Sequence, residues 1–200
     1  MKGTKDAKVA KDMNGLARFL YEMGQLQRVR RSGFTTIGVN NPHSTSEHSH
    51  RTAVIGYFLA KMEGVDADKV AVMCLFHDIH EARLNDLHKV GHRYIDFRSA
   101  EEKAFREQLE VIGDLGKELL PLVEEAHKRE SRDAEVARDA DLLENALEAR
   151  EYIKIGYADA QNWIDNIWKV IKTGSGKRLL KEIESTDPNE WLFSLKKIER

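Results

Sequence analysis

Helical periodicity recurs along almost the whole chain, and it limits the possible folds more than any other feature. Near the start of the chain, apolar residues repeat at steps of three and four, which is the spacing of one face of an α-helix. These residues are Val9, Met13, Leu16, Leu20 and Met23. Only 3 prolines occur in 200 residues, so long stretches are free to be helical. No strand-length alternation is present, and we expect an all-α fold, a compact multi-helix domain.

Local signals predict where the helices lie. "STSE" at 44–47 predicts a capping box, with Ser44 as the N-cap and Glu47 three residues later. The helix that follows should end near Gly64. The most apolar pattern, "DADKVAVMCLFHDIHEARL", predicts a central helix. Further helices are predicted over 98–112, 115–130, 133–156 and 159–172, with two short ones after Lys177.

The chain offers no clear place to divide it. We expect one domain over 1–200, with the motif-bearing part at about 10–155 and the C-terminal helices 159–199 packing on it. "TGSGK" at 173–177 lacks the first Gly and the final Ser or Thr of a phosphate-binding P-loop. We therefore interpret it as a turn between two helices.

Composition excludes several classes of protein. With 32 basic and 34 acidic residues the net charge is −2, so neither a nucleic-acid polymer nor an anionic membrane is an expected partner. No stretch approaches the ~20 apolar residues of a membrane span, and "MKGTKDAKVAKDMN" has no signal-peptide core. The one cysteine, Cys74, cannot form an intrachain disulfide. We therefore expect a reducing compartment and a cytoplasmic location.

His77 and Asp78 stand side by side at the end of the apolar helix pattern. A charge buried there is costly, and a divalent cation would compensate it. His48 and Asp141, on two other predicted helices, are candidates for the remaining ligands, and this mixed donor set suits Mn, Fe, Co, Ni or Zn. Each residue also has a simpler explanation: a helix cap for His48, an ion pair with Arg83 for Asp78, and contact with water for Asp141. The spacing of these residues alone does not decide whether they bind a metal ion.

The order of these residues, H…HD…D, is that of the HD-domain phosphohydrolases, and the chain resembles their 5′-deoxynucleotidase-like branch. Four segments carry the resemblance, in the order and at about the separations of that branch: "LQRVRRSGF", "STSEHSHRTAV", "CLFHDIHEARLND" and "ARDADLLENALEAREY". The resemblance implies a helical fold and hydrolysis of a phosphate monoester by attack of water bound to a divalent metal ion. It also implies a homodimer. The metal ligands that it implies are His48, His77, Asp78 and Asp141.

Two acidic residues follow the His–Asp pair. Glu81 lies four residues after His77 and would share its helix face. The resemblance implies that Glu81 is the acid–base group that orients or deprotonates the attacking water; the alternative is an i,i+4 partner or a solvated surface residue. Asp86 matches a second acidic residue of the branch. If Asp86 is part of the active site, we expect it to bind the sugar or to assist proton transfer. The alternative is that it only caps the next turn.

Phosphate also requires fixed cations. The resemblance implies that Arg31, in "RRSGF", binds the phosphate, although neighbouring arginines confuse the assignment. Arg51 either binds substrate or pairs with a buried carboxylate such as Glu125, which we interpret as structural. Three further histidines are expected at the surface or behind the ligands rather than on the metal: His80, His88 and His92.

Residues around the expected pocket depart from the branch. Asn85 stands where the branch often has Gly, Phe34 where it often has Trp, and Arg30 where it often has Pro. The resemblance implies a deoxyribonucleoside 5′-monophosphate as the substrate, and these departures leave a ribonucleotide or another phosphomonoester as alternatives. Two other functions stay open: an HD phosphodiesterase or alarmone-type hydrolase, and a non-catalytic nucleotide-binding sensor. Phosphodiesterases and alarmone-type hydrolases more often have extra metal-binding histidines or regulatory domains. A non-catalytic sensor would have lost a metal ligand or Glu81.

Overall fold

The computed structural model describes the backbone of residues 2–195 and the side chains of residues 13–195. Its α-helices are α1 (Lys2–Met23), α2 (Ser32–Thr35), α3 (Thr45–Glu63), α4 (Ala67–Phe76), α5 (Glu81–Leu84), α6 (Phe97–Glu110), α7 (Asp114–Lys128), α8 (Arg132–Lys154), α9 (Gln161–Val170), α10 (Gly174–Ser185) and α11 (Glu190–Phe193). Short 3₁₀ turns lie at Gly24–Gln27, Gly91–Arg93 and Ala158–Ala160. The described part contains no β-strand, which confirms the all-α prediction. Among the described helices, none has the length and apolar character that a membrane span requires.

Helix ends agree with the prediction where a local signal sets them. The capping box forms at Ser44, whose hydroxyl accepts the N–H of Glu47 while the Glu47 carboxylate accepts the N–H of Ser44. At the other end of α3, Gly64 takes a left-handed conformation with φ of 72°, which a residue without Cβ adopts freely. Helices α6, α7, α8 and α9 begin and end within two residues of their predicted limits.

The prediction of a central helix over "DADKVAVMCLFHDIHEARL" is wrong in two respects, because α8 lies at the centre instead and because the predicted helix breaks at the His–Asp pair. Helix α4 ends at Phe76, residues 77–80 form turns, and α5 begins at Glu81. The imidazole Nδ1 of His77 lies 2.7 Å from the carbonyl oxygen of Cys74, which would accept the N–H of Asp78 in a continuous helix. The Gln108 side chain donates to the carbonyl oxygen of Ile79 at 2.9 Å. The carbonyl oxygen of Ile79 also accepts the N–H of Ala82 at 3.1 Å, so backbone and side-chain donors together satisfy the turn.

Helix α8 lies at the centre and packs against α3, α4, α7, α9 and α10. Many of its buried residues are small, which lets neighbouring helices approach closely: Ala134, Ala137, Ala140, Ala146 and Ala149. Gly56 of α3 lies at the crossing of α3, α4 and α8, where a Cβ would be 2.6 Å from Cys74 Sγ and 3.6 Å from the Cβ of Ala140. The three helices that carry or adjoin the candidate ligands are therefore in direct contact.

A second apolar cluster joins α1, α6 and α7, and it corrects the predicted face of α1. Phe19 is buried in this cluster, with Leu16 and Met23 packed at its edge. Met13 and Leu20 belong to the predicted face, yet they are 61% and 60% exposed. The large Phe19 ring sets the buried face, and residues 16, 19 and 23 follow it at helical spacing. The side chain of Val9 lies outside the described residues.

Helices α9 and α10 pack on α8. The hydroxyl oxygen of Thr173 accepts the N–H of Gly176 at 3.0 Å and caps α10. The prediction of a turn between helices at "TGSGK" is therefore correct only at its first residue, because Thr173 caps α10 and residues 174–177 form the first turn of that helix. Asp139 of α8 fixes the same turn by accepting the N–H of Thr173 at 2.6 Å. Of the predicted C-terminal helices, residues 196–199 lie outside the described part.

Candidate metal centre and its cavity

The four predicted ligands converge although they come from three separate segments. His48 lies on α3, His77 and Asp78 follow α4, and Asp141 lies on α8. Nε2 of His48 is 3.2 Å from Nε2 of His77, 3.6 Å from an Asp78 oxygen and 3.3 Å from an Asp141 oxygen. Nε2 of His77 is 3.0 Å from the same Asp78 oxygen. Two donor atoms that are each about 2.1 Å from one ion lie about 3.0–3.5 Å apart, so the spacing suits a shared ion.

The hydrogen bonds of the two imidazoles make these residues fit a cation. Nδ1 of His48 contacts the Glu144 carboxylate, and Nδ1 of His77 contacts the Cys74 carbonyl oxygen. Both acceptors require a proton on Nδ1, so a neutral ring directs the lone pair of Nε2 towards the other ring. Two lone pairs and two carboxylates then face one point, and only positive charge there relieves their repulsion. This donor chemistry supports a divalent metal cofactor.

The electrostatics of the cluster lead to the same conclusion. Burial opposes charge on His77, but the neighbouring carboxylates of Asp78 and Asp141 overcome it and raise the pKa of the imidazole to about 9. For Asp141, burial also opposes charge, yet the hydrogen bond and charge of His48 hold its pKa well below the usual range. The carboxylates therefore stay ionised and attract a positive charge, whether a proton or a metal ion.

Glu144 is a residue of this site that the sequence reasoning missed. Its carboxylate is fully buried and contacts Nδ1 of His48. The contact fixes both the tautomer and the orientation of the ring, which is the usual role of a carboxylate behind a metal-binding histidine. A signal was present, because Glu144 lies three residues after Asp141 and therefore on the same face of the helix.

Arg51 does not line the cavity, which argues against its predicted contact with phosphate. Its Nε donates to Glu144 at 3.0 Å, and Nη1 donates to Glu151 at 2.6 Å. The alternative prediction, a buried carboxylate as partner, describes Arg51 better, although that carboxylate is Glu144 and not Glu125. Glu125 instead accepts from Lys69 at 2.8 Å, which agrees with a structural role.

Glu81 lies beside the cluster and is almost completely buried. The hydroxyl of Thr45 donates to its carboxylate at 2.6 Å. Burial, and then the charge of nearby Asp78, raise the pKa of Glu81 well above its ordinary value. The alternative of a solvated surface residue is therefore wrong, and the group is placed to exchange a proton inside the cavity.

Arg31 and Asp86 lie on the same side of the cluster. The guanidinium of Arg31 donates to Asp78 at 3.4 Å and to Asn145 at 3.1 Å. Burial disfavours its charge, but the carboxylates of Asp86 and Glu81 raise its pKa further above the ordinary value. An oxygen of Asp86 accepts the N–H at the start of α2 at 2.5 Å. Asp86 thus caps the helix that follows Arg31, and not the next turn of its own segment.

These groups open into one cavity of about 460 Å³, a size typical of small-molecule sites. Arg31, Glu81, Asp86 and the two aspartates of the cluster line it, and one face of α9 forms part of its wall. His88 and His92 also line the cavity. His80 is buried behind the cluster, 3.5 Å from Glu101, and so is not at the surface.

Comparison with known proteins gives a consistent family. The sequence model of the HD domain family matches residues 23–184 of this chain. A protein named 5′-deoxynucleotidase HDDC2 from Mus musculus is 32% identical over 140 residues, which cover 69% of this chain and 70% of that protein. The protein of the same name from Dictyostelium discoideum is 31% identical over 156 residues, covering 71% and 80%.

A solved structure has the same fold. A conserved hypothetical protein from Pyrococcus furiosus superposes with a TM-score of 0.71 at 26% identity, covering 85% of this chain and 99% of the other. The family match spans most of the helical part, and it includes all four clustered residues and Glu81. The chain therefore belongs to the HD domain family.

Proposed function

We propose that the protein is a divalent-metal-dependent phosphohydrolase that removes the phosphate from a nucleoside 5′-monophosphate, with deoxyribonucleotides preferred. One observation carries the proposal: two imidazoles and two carboxylates converge beside an arginine and a buried glutamate that open into the same cavity. The relatives named 5′-deoxynucleotidase support the substrate class. A cavity of about 460 Å³ also has room for a nucleotide.

The metal ligands in this proposal are His48, His77, Asp78 and Asp141. These four residues would hold a divalent ion, which would supply Lewis-acid chemistry by lowering the pKa of water and offsetting the negative charge of the phosphoryl oxygens. The mixed imidazole and carboxylate donors suit Mn, Fe, Co, Ni or Zn, and they do not select one of these. Glu144 maintains the ring orientation of His48 from behind.

The remaining groups bind the phosphate and move the proton. Arg31 is held by Asn145 and Asp78 with its guanidinium in the cavity, so it can bind two phosphoryl oxygens. Glu81 accepts a proton from the attacking water as the new P–O bond forms. It returns the proton to the 5′-oxygen as the original P–O bond breaks, and a pKa raised above the ordinary value makes the carboxylate a stronger base for the first of these steps. Asp86 holds the start of α2 next to Arg31 and lines the same cavity, so it is the candidate contact for the sugar.

A phosphate-release assay tests the proposal. The protein is first treated with a chelator, and Mn, Co, Ni or Zn is then added back separately with a panel of deoxy- and ribonucleoside 5′-monophosphates. We expect release that depends on the added metal. His77→Ala and Asp78→Ala should lose both bound metal and activity. Release from no nucleotide with any of these ions would contradict the proposal and favour a nucleotide sensor.

Glu81→Ala separates metal binding from turnover. We expect this variant to keep its metal and to lose about 10²–10⁴-fold in kcat, the usual contribution of a general base. Glu118→Ala, on an exposed part of α7, is the matched control and should keep both. Normal turnover by the Glu81 variant would show that the base is assigned incorrectly.

Two expectations extend beyond the catalytic site. The homodimer and the cytoplasmic location both stay predictions. Sedimentation of the purified protein measures its oligomeric state directly, and fractionation of the source cells measures its compartment.

A further inference from the structure

One face of α9 forms an uncharged wall of the cavity. The residues of α9 that line the cavity are spaced so that they lie on one side of the helix: Asn162, Trp163, Asn166, Ile167 and Val170. Helix α9 also contains Asp165 and Lys169, yet neither lines the cavity. Every charged residue in the described lining comes from other segments of the chain, and one of them, Arg138 of α8, donates to the carbonyl oxygen of Val170 at the end of α9. The side chains that α9 itself contributes form a neutral face beside the charged groups.

This division matches the two ends of a nucleotide. The charged side contains Arg31, Glu81 and the clustered aspartates, and it suits a phosphate. The face of α9 offers amides, an indole and aliphatic side chains. A nucleobase is flat and uncharged, with polar atoms along its edge, and such ligands are bound by apolar walls with a few placed hydrogen-bonding groups.

Trp163 presents an unused hydrogen-bond donor on this wall. Phe34 stacks on its ring with centroids 4.8 Å apart and an angle of 19°, which fixes the orientation of the indole. The nitrogen edge of the indole lies beside Gly33, where an added Cβ would be 3.7 Å from the nitrogen, an ordinary van der Waals distance. Within the described residues, the indole N–H has no hydrogen-bond partner, and it remains available to a ligand.

The two asparagines lie one turn apart and hold each other in place. Nδ2 of Asn166 donates to the amide oxygen of Asn162 at 3.3 Å. Lys169 donates to the amide oxygen of Asn166 at 2.9 Å. Both amide oxygens are thus engaged within α9, and the amide hydrogens of Asn162 remain as donors towards the cavity.

We propose that this face of α9 is the nucleobase subsite, in which Asn162, Trp163 and Asn166 contact the acceptor atoms of the base. The proposal rests on the proposed function, because it assigns the half of the substrate that the metal centre does not bind. It also makes these three residues determinants of specificity that leave the chemical step unchanged.

The experiment compares substrates with and without a base. Phosphate release is measured for 2-deoxyribose 5-phosphate and for the four common deoxyribonucleoside 5′-monophosphates, using Asn162→Ala, Asn166→Ala and Trp163→Phe in the full chain. We expect KM for at least one nucleotide to rise about 3- to 10-fold per lost hydrogen bond. We expect kcat, and all constants for deoxyribose 5-phosphate, to stay unchanged. Trp163→Phe keeps an aromatic ring beside Phe34 and removes the N–H together with part of the bicyclic ring.

The controls lie on the same helix outside the cavity. Gln161→Ala and Trp168→Phe should change neither class of substrate, since neither residue lines the cavity. If the three wall variants lose activity equally on nucleotides and on deoxyribose 5-phosphate, or on neither, the subsite is wrong while the proposed function stands. If wild-type protein releases phosphate from none of these compounds, the proposed function fails and the subsite fails with it.

Discussion

The close approach of α3, α4 and α8 can be tested with a single methyl group, in Gly56→Ala. The added Cβ would lie 2.6 Å from Cys74 Sγ, 3.2 Å from a methyl carbon of Val70 and 3.6 Å from the Cβ of Ala140. Non-bonded carbon atoms are most stable at about 3.5–4.0 Å, and sulfur is larger. The contact with Cys74 must therefore open by about 1 Å, through a new rotamer or through separation of the helices.

The expected magnitude follows from two opposing effects. Overpacking a close-packed core costs about 1–3 kcal/mol. Alanine is a better helix former than glycine by about 1 kcal/mol, which offsets part of that cost. The net loss in the free energy of unfolding is about 0–2 kcal/mol, and each kcal/mol lowers Tm by about 2–4 °C in a chain of this size.

A double-mutant cycle isolates the contact. Urea unfolding is measured for the wild type, Gly56→Ala, Cys74→Ala and the double variant. Because Cys74→Ala removes the sulfur atom, the double variant should recover the steric cost, giving a coupling energy of about 1–3 kcal/mol. Gly24→Ala is the control, since nothing lies within 4 Å of its added carbon. A coupling near zero would refute the helix packing described here.

Two further substitutions test the region behind the metal centre and the start of α10. Glu144→Gln should raise the dissociation constant for the metal ion about 10–100-fold, because His48 loses the carboxylate that orients it. Equilibrium dialysis measures this dissociation constant, and an unchanged value would contradict the role of Glu144. Hydrogen bonding from Ser175 and the charge of Arg132 lower the pKa of Glu63. The ionised Glu63 carboxylate therefore stabilises the folded state above the unfolded pKa of about 4.3, and this stabilisation is lost as the pH falls through the lower folded pKa. Glu63→Gln should thus be less stable than wild type by about 1 kcal/mol at pH 7, and equal to it at pH 2; a difference independent of pH would count against the ionic interaction.

Local signals explain how much of the fold was predictable. The capping residues Ser44 and Glu47 and the apolar spacing of the helices all act within a few residues, so they are visible in the sequence. The break after Phe76 was not visible. One contact in this region comes from Gln108, a residue of α6 that is distant in sequence and donates to the carbonyl oxygen of Ile79, and spacing within the segment does not reveal it. The break leaves the His–Asp pair at the end of α4, where both side chains reach the cluster.

The site was predictable where the chemistry of a residue is unusual for its surroundings. An aspartate at the end of an apolar run has few explanations, and Asp78 lies in the cluster. Glu144 was not predictable in the same way, because an acidic residue on a charged helix is usually solvated. Its burial results from the packing of α3 against α8, which brings Arg51 and His48 to its carboxylate.

The carboxylates of α8 show how one helix serves both the fold and the site. Asp139, Glu144 and Glu148 are fully buried, and a buried charge is tolerated only where donors surround it. Asp139 accepts backbone N–H groups from the turn before α10, Glu144 accepts from side chains of α3, and one oxygen of Glu148 accepts the N–H of His43. Asp141 differs, since its side chain is 27% exposed and faces the cavity. Asp139 and Glu144 thus hold α8 against its neighbours, whereas Asp141 is the carboxylate of this helix that the proposal assigns to a cation.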